Sequence, residues 1–245
     1  MNALSLTPGD ALVGAAVPLV VAAILVASLR RGTGGGLVPV IFAVGGWVTH
    51  WFNALLLRNV IPALGEHDPA TAAEAWYSGF VEAAVPEELV RFVCALALAF
   101  AWRRSRSRFT APELAGGLLA SGFALFENLD YARTFPEWRI MAVLSHVGAG
   151  IIMGRFLRHA LVGDALRTLP LFAALLVPVV MHGLFDSAFF MVEIIAFGVE
   201  GNGSAVEDEA MLRALPWMAA YFLVFLAELV WAASIIWRFR REARE

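Results

Sequence analysis

The sequence predicts an all-α, polytopic transmembrane helical bundle of about seven spans, and three observations support this fold class. Of the 245 residues, 60% are hydrophobic and only 16% are charged, whereas a soluble domain is usually about 45–50% apolar and about 25% charged. The apolar residues form runs close to the roughly 20 residues that a membrane-spanning helix needs. These runs are too long and continuous for barrel strands, and an open strand cannot satisfy its backbone in lipid.

Apolar runs locate the predicted spans one after another along the chain. They are 11–29, 37–57, 79–102, 111–132, 139–158, 169–192 and 215–237. No segment between them is long enough to fold as a separate soluble domain, so we expect a single transmembrane domain over residues 1–245. Two glycine groups would allow close helix approach: Gly116 with Gly117, and Gly148 with Gly150 and Gly154.

The arginines predict which way the bundle faces. All 18 basic residues are Arg, and 13 of them follow the first, third, fifth or seventh span. Arg91 lies inside a span, and the remaining four are Arg58, Arg133, Arg139 and Arg213. Because cytoplasmic loops carry an excess of basic residues, we expect the N-terminus outside, the C-terminus in the cytoplasm, and a multi-pass protein of the plasma membrane. The acidic stretch 200–209 then becomes a mobile extracytoplasmic loop.

The third span carries Glu87, Glu88 and Arg91, although a charge near the bilayer centre costs at least about 2.5–3.5 kcal/mol. Glu87 and Arg91 are four residues apart and share a helix face, so an ion pair would lower the cost of burying both. Glu88 lies about 100° further round the helix and has no such partner. Adjacent carboxylates in a low dielectric should not both ionise freely, so one is a candidate general base. Helix phase favours Glu88 over Glu87 but leaves the choice open.

Three later spans each carry a further polar group. Glu127 lies at the end of the fourth span beside Asn128, whose amide can donate hydrogen bonds. His146 lies in the fifth span. His182 and Asp186 are four residues apart in the sixth span, where the carboxylate can orient the imidazole or both can ligate one metal. A purely structural contact between helices is the alternative for each group.

The predicted topology places these groups at a similar depth. At 1.5 Å per residue they lie roughly 8 to 15 Å from the outer ends of their spans, in the outer half of a hydrocarbon core about 30 Å thick. A single site reached from outside would share a depth in this way. Three other polar residues are candidates for lesser roles. Glu82 is nearer the outer end of its span and is a candidate to line an entrance, and His50 and Glu228 are expected to serve in packing or to support site residues from behind.

Such a site could hydrolyse a substrate in two ways. A Glu could polarise a water while His residues stabilise the oxyanion, or the Glu, His and Asp side chains could hold a divalent metal that activates the water. The His-Glu-x-x-His and Gly-x-Ser-x-Gly signatures are both absent. Spacing alone therefore does not decide whether the site needs a metal.

Four motifs in this order resemble those of the PrsW family. They are Glu87-Glu88-x-x-Arg91, Phe123-x-x-x-Glu127-Asn128, His146 in its own span, and His182-x-x-x-Asp186. The family belongs to a larger group of intramembrane proteases that includes the type II CAAX prenyl proteases. The resemblance covers residues 80–190, which corresponds to a catalytic core of about 79–192. PrsW proteins usually carry Lys where this chain has Arg91.

The resemblance implies an intramembrane endopeptidase that makes the first extracytoplasmic cut in a single-pass, anti-sigma-factor-like membrane protein. It implies that Glu87 and Glu88 supply the water-activating base, with Arg91 and Asn128 in support. The residues implied to complete the site or to bind a metal are Glu88, Glu127, His146, His182 and Asp186. Zinc is the first candidate metal, and a metal-free, glutamate-dependent protease is the other reading. No nucleic-acid partner is predicted.

A non-proteolytic scaffold or a proton-coupled transporter could use the same polar residues. A proton path should place titratable groups across the whole membrane thickness, yet only Glu228 lies towards the inner half. A scaffold needs neither adjacent carboxylates nor a His–Asp pair. The sequence therefore favours the protease.

Overall fold

The described part of the computed structural model is helical apart from short connecting stretches and comprises residues 8–29, 37–49, 51, 55, 69–105, 110–130, 136–162, 165–197 and 208–242. Seven helical elements follow one another within these residues. They are α1 (Pro8–Leu29), α2 (Val38–Val44, continued as a π-helix over Gly45–Thr49), α3 (Ala72–Tyr77, a π-helix over Ser78–Ala84, then Val85–Arg104), α4 (Pro112–Asp130), α5 (Pro136–Leu161), α6 (Thr168–Phe197) and α7 (Asp208–Glu242).

The helices confirm the predicted all-α membrane bundle. Among the described residues, three stretches are long and apolar enough to cross a membrane: Arg139–Leu161, Thr168–Ile195 and Glu209–Glu242. Shorter apolar helices cover Ala15–Ala27 and Val38–Val48. α3 and α4 carry several carboxylates within their apolar runs, which lowers their apolarity. The number of crossings and the direction of each remain predictions.

Large apolar side chains cover the outside of the longest helices. Leu169 is 81% exposed on α6, and Leu223 and Val230 on α7 are 67% and 69% exposed. Exposed apolar surface on this scale marks a surface that contacts something other than water. On helices of this length, lipid is the natural contact.

Two predictions about the connection before the last helix are wrong. Asp208 and Glu209 begin α7 instead of lying in a mobile loop. Arg213, also expected in that connection, lies within α7. The remainder of the acidic stretch lies outside the described residues, as do His50, Arg58 and Arg133.

Glycines allow α4 and α5 to pack backbone against backbone. A Cβ added at Gly116 would collide with the carbonyl oxygen of Gly150, and one at Gly154 would collide with that of Pro112. The predicted close approach of glycine-bearing helices is therefore confirmed at these positions. His146 lies four residues before Gly150 on the same face of α5. The backbone contact at Gly150 therefore also fixes the position of His146 along α4.

A π-helical segment in α3 precedes the two glutamates. The N–H of Val85 donates to the carbonyl of Phe80, five residues earlier. Pro86 follows, and its ring lacks an N–H and crowds the preceding turn, which a wider π turn accommodates. The segment lies close to α6, since a Cβ at Gly183 would meet the ring of Phe80. Glu87 and Glu88 therefore start the next α-helical stretch beside α6.

Candidate active site

Ionisable side chains from four consecutive helices meet in one cluster inside the bundle. The contributing residues are Glu87, Glu88 and Arg91 of α3, Glu127 and Asn128 of α4, Arg139 and His146 of α5, and His182 and Asp186 of α6. All six residues predicted to be catalytic are among them. Each of them contacts another member of the cluster.

His182 lies between two carboxylates. Its Nδ1 is 3.0 Å from Oε1 of Glu88, and its Nε2 is 3.0 Å from Oδ2 of Asp186. The same Nε2 lies 3.9 Å from Oε2 of Glu87. The spacing of four residues in α6 thus brings Asp186 to the ring as predicted. His182 can offer a nitrogen to a metal only by giving up one of its two close carboxylate contacts.

The expectation that Glu88 has no local partner is wrong. Nη2 of Arg91 lies 2.6 Å from Oε1 of Glu88 and 3.4 Å from Oε2 of Glu87. Residues three apart on a helix are neighbours as much as residues four apart, and His182 holds Glu88 towards α6. Glu88 is fully buried, whereas 12% of the Glu87 side chain is exposed. Glu87 is therefore the carboxylate of this pair that a water molecule can reach.

His146 is held from the opposite side of the cluster. Its Nε2 lies 2.8 Å from Oε2 of Glu127. Nη2 of Arg139 lies 2.7 Å from that same oxygen, and Nε of Arg139 donates to Oδ1 of Asn128 at 2.9 Å. The amide of Asn128 accordingly accepts from Arg139 through its oxygen, and the predicted donor role of its nitrogen stays a prediction.

The side chains around His182 and those around His146 meet where the two imidazole rings are in contact. The rings of His146 and His182 meet edge to face with centroids 5.0 Å apart. Phe123 packs edge to face on His146 at 5.3 Å and lies beneath the guanidinium of Arg91 at 4.9 Å. One carboxylate oxygen of Glu87 and one ring nitrogen from each histidine lie within 4.8 Å of one another.

This donor set and its charge fit a divalent metal. The cluster contains four carboxylates and two guanidinium groups, which leaves an excess of two negative charges when both histidines are neutral. One divalent cation would neutralise that excess. A carboxylate with two imidazoles is also one of the ligand sets of catalytic zinc. Asp186, Glu88 and Glu127, predicted as candidate ligands, instead contact the ring nitrogens of the histidines.

Glu228 lies beside the cluster and makes a specific contact with α5. Oγ of Ser145 donates to Oε2 of Glu228 at 2.6 Å, and both side chains are buried. A Cβ at Gly148 would lie 2.9 Å from Cγ of Glu228, so the glycine makes room for the acid. The expected packing role of Glu228 therefore includes a hydrogen bond to the residue next to His146.

Two remaining polar residues lie outside the cluster. Glu82 accepts a hydrogen bond from Oγ of Ser78 at 2.7 Å. His159 is exposed at the far end of α5 from His146.

Arg139 is a cluster residue that the sequence did not single out, because it was counted only among the arginines on the outer side. One signal could have identified it. Arg139 precedes His146 by seven residues, which is two helical turns and therefore the same face. An arginine and a histidine on one face at the site end of a span suggest a shared carboxylate partner.

The chain matches the sequence model of a known protein family. Residues 35–227 match the sequence model of the PrsW family, described as a family of intramembrane metalloproteases. No curated protein and no solved structure matches the chain. The match includes every residue of the cluster.

Proposed function

Because the chain belongs to the PrsW family of intramembrane metalloproteases, we propose that this cluster hydrolyses a peptide bond of a membrane-anchored protein. The observation that carries the proposal is the approach of Glu87, His146 and His182 to within 4.8 Å from three different helices. Three donors of this kind, brought together inside an apolar bundle, have a high burial cost that a packing role does not require.

Glu87, His146 and His182 are the residues that would hold a metal. We propose zinc, because one carboxylate and two imidazoles match a catalytic zinc set and leave a position open for water. When bound, the ion would polarise that water and the carbonyl of the scissile bond.

Side chains of the cluster supply the proton transfer and the positioning that the reaction also needs. One oxygen of Glu87 would hold the metal; because the side chain is partly exposed, its other oxygen can accept a proton from the attacking water. The water oxygen bonds to the carbonyl carbon, the carbon–nitrogen bond breaks, and the proton passes from Glu87 to the departing amine. Glu88 and Glu127 hold the imidazoles of His182 and His146 in place. Phe123 packs against His146 and helps to exclude bulk water.

The substrate proposed here is a single-pass membrane protein of the anti-sigma-factor type, cut first on its extracytoplasmic side at the plasma membrane. Two features support this orientation. The arginine distribution predicts an outside N-terminus. Glu127 lies three residues before the end of α4 that this predicted topology turns outwards, which supports a cluster that is reached from outside.

Cleavage of a tagged single-pass substrate tests the proposal. We expect wild type to cleave it, Glu87→Gln and His146→Ala to be inactive, and a chelator to abolish cleavage until zinc is restored. His159→Ala is the matched control, because it removes an exposed histidine from the other end of α5 and should leave cleavage unchanged. Cleavage that survives both site substitutions would refute the site. Cleavage that survives chelation would refute the metal.

A further inference from the structure

The two histidines of the cluster are held by the same arrangement of side chains. In each case an arginine and a histidine contact one shared glutamate oxygen. For His182, Oε1 of Glu88 lies 2.6 Å from Nη2 of Arg91 and 3.0 Å from the ring Nδ1. For His146, Oε2 of Glu127 lies 2.7 Å from Nη2 of Arg139 and 2.8 Å from the ring Nε2.

The two arrangements reach this geometry by different routes. Arg91 and Glu88 come from the same helix and hold a histidine of α6. Arg139 and His146 come from the same helix and share a glutamate of α4. Their similarity is therefore not a consequence of one local sequence pattern. It suggests that each histidine needs a carboxylate whose direction is fixed by a cation.

The shared oxygen determines which ring nitrogen carries hydrogen. Nη2 of Arg139 forms an ion pair with Oε2 of Glu127, and an ionised carboxylate can only accept hydrogen bonds. The Nε2 of His146, 2.8 Å from that oxygen, must then be the donor. In a neutral imidazole this leaves Nδ1 as the nitrogen with a free electron pair. That nitrogen is the one available to a metal or to the hydrogen of a water.

We propose that Arg139 is a positioning residue of the active site, which sets the tautomer and the direction of His146 through Glu127. The proposal rests on the proposed function for its catalytic consequence, since His146 matters only if the cluster is the site. A second contact supports it. Nε of Arg139 donates to Oδ1 of Asn128 at 2.9 Å, so the guanidinium is held at two points and cannot rotate freely about its stem.

The first test measures the tautomer in metal-free protein. Protein with ¹⁵N-labelled histidine is purified in detergent, and the ring nitrogen shifts of His146 are assigned by their loss in His146→Ala. We expect wild type to show a single form with hydrogen on Nε2. Arg139→Met should give a mixture of the two tautomers. Arg213→Met, at an exposed position of α7, is the matched control and should retain the single form.

The second test measures zinc affinity by titration of the same proteins. Loss of groups that orient a ligand typically weakens metal binding 10- to 100-fold, and we expect a loss of about that size in Arg139→Met. Arg139→Lys keeps one cation beside Glu127 and should recover part of the affinity, and its thermal melting curve should match wild type. A wild-type tautomer and wild-type zinc affinity in Arg139→Met would overturn the proposal.

These outcomes separate this proposal from the proposed function. If wild type failed to cleave any substrate, the tautomer measurement would still report whether Arg139 controls His146. If Arg139→Met kept the wild-type tautomer while Glu87→Gln lost cleavage, the active-site assignment would be supported and the positioning role of Arg139 would be refuted.

Discussion

Replacement of Arg91 should destabilise the fold through the carboxylate that it leaves behind. Arg91 is 2% exposed and its Nη2 lies 2.6 Å from Glu88, which is fully buried. Removal of one partner from a buried ion pair usually costs about 3–5 kcal/mol, because the other charge stays buried without compensation. The guanidinium also lies over the ring of Phe123, a contact of about 1 kcal/mol. We therefore expect Arg91→Met to lower the free energy of unfolding by about 3–5 kcal/mol.

A double-mutant cycle tests this reasoning. Unfolding of Arg91→Met, Glu88→Gln and the double variant is followed by tryptophan fluorescence in detergent with added denaturant. Since Glu88→Gln removes the stranded charge, the double variant should be more stable than the sum of the single effects predicts, by at least about 1 kcal/mol. Arg104→Met, at an exposed position of the same helix, is the control. Strictly additive effects would refute the claim that Arg91 compensates Glu88.

Three further predictions concern packing, a buried hydrogen bond and the metal. Gly116→Ala should lower the free energy of unfolding by at least about 1–3 kcal/mol, because the new Cβ would collide with the Gly150 backbone. Gly117→Ala should cost less, since its Cβ would approach only side chains, at 3.0 Å and beyond; equal melting temperatures for the two variants would contradict this. Glu228→Gln should keep activity, because its amide oxygen can still accept from Ser145. Glu228→Leu should lower the free energy of unfolding by about 1–3 kcal/mol, because the buried Ser145 hydroxyl loses its acceptor; equal melting temperatures for Glu228→Leu and wild type would count against this role. Dialysis against a chelator should lower the melting temperature of wild type but not of His182→Ala, and an equal shift in both would argue against a metal at this cluster.

The helices could be predicted from the sequence because lipid offers the backbone no hydrogen-bond partners. A backbone without water must form its hydrogen bonds within the segment, so each long apolar run indicates a helix. α5 and α6 lie within a few residues of their predicted spans. Their ends were less predictable because capping and local packing set them; α7 begins at Asp208, seven residues before the predicted span.

The chemistry of the site was also visible in part. Ionisable residues in apolar runs are costly, so Glu127 and His146 stood out without any structure. His182 and Asp186 could be paired, because residues four apart share a helix face. The metal-ligand assignment stays a prediction, since contacts between helices decide which carboxylates approach each other and which contact an imidazole.

By itself, the sequence determined the class of protein, the helices and the residue types of the site, because these follow from periodicity and from the cost of burying charge. Only the tertiary structure decided the partners. It paired Arg91 more closely with Glu88 than with Glu87, and it brought Arg139 to the carboxylate of Glu127. The physical reason is that helix geometry constrains which residues share a face, whereas the packing of neighbouring helices selects the atoms that meet.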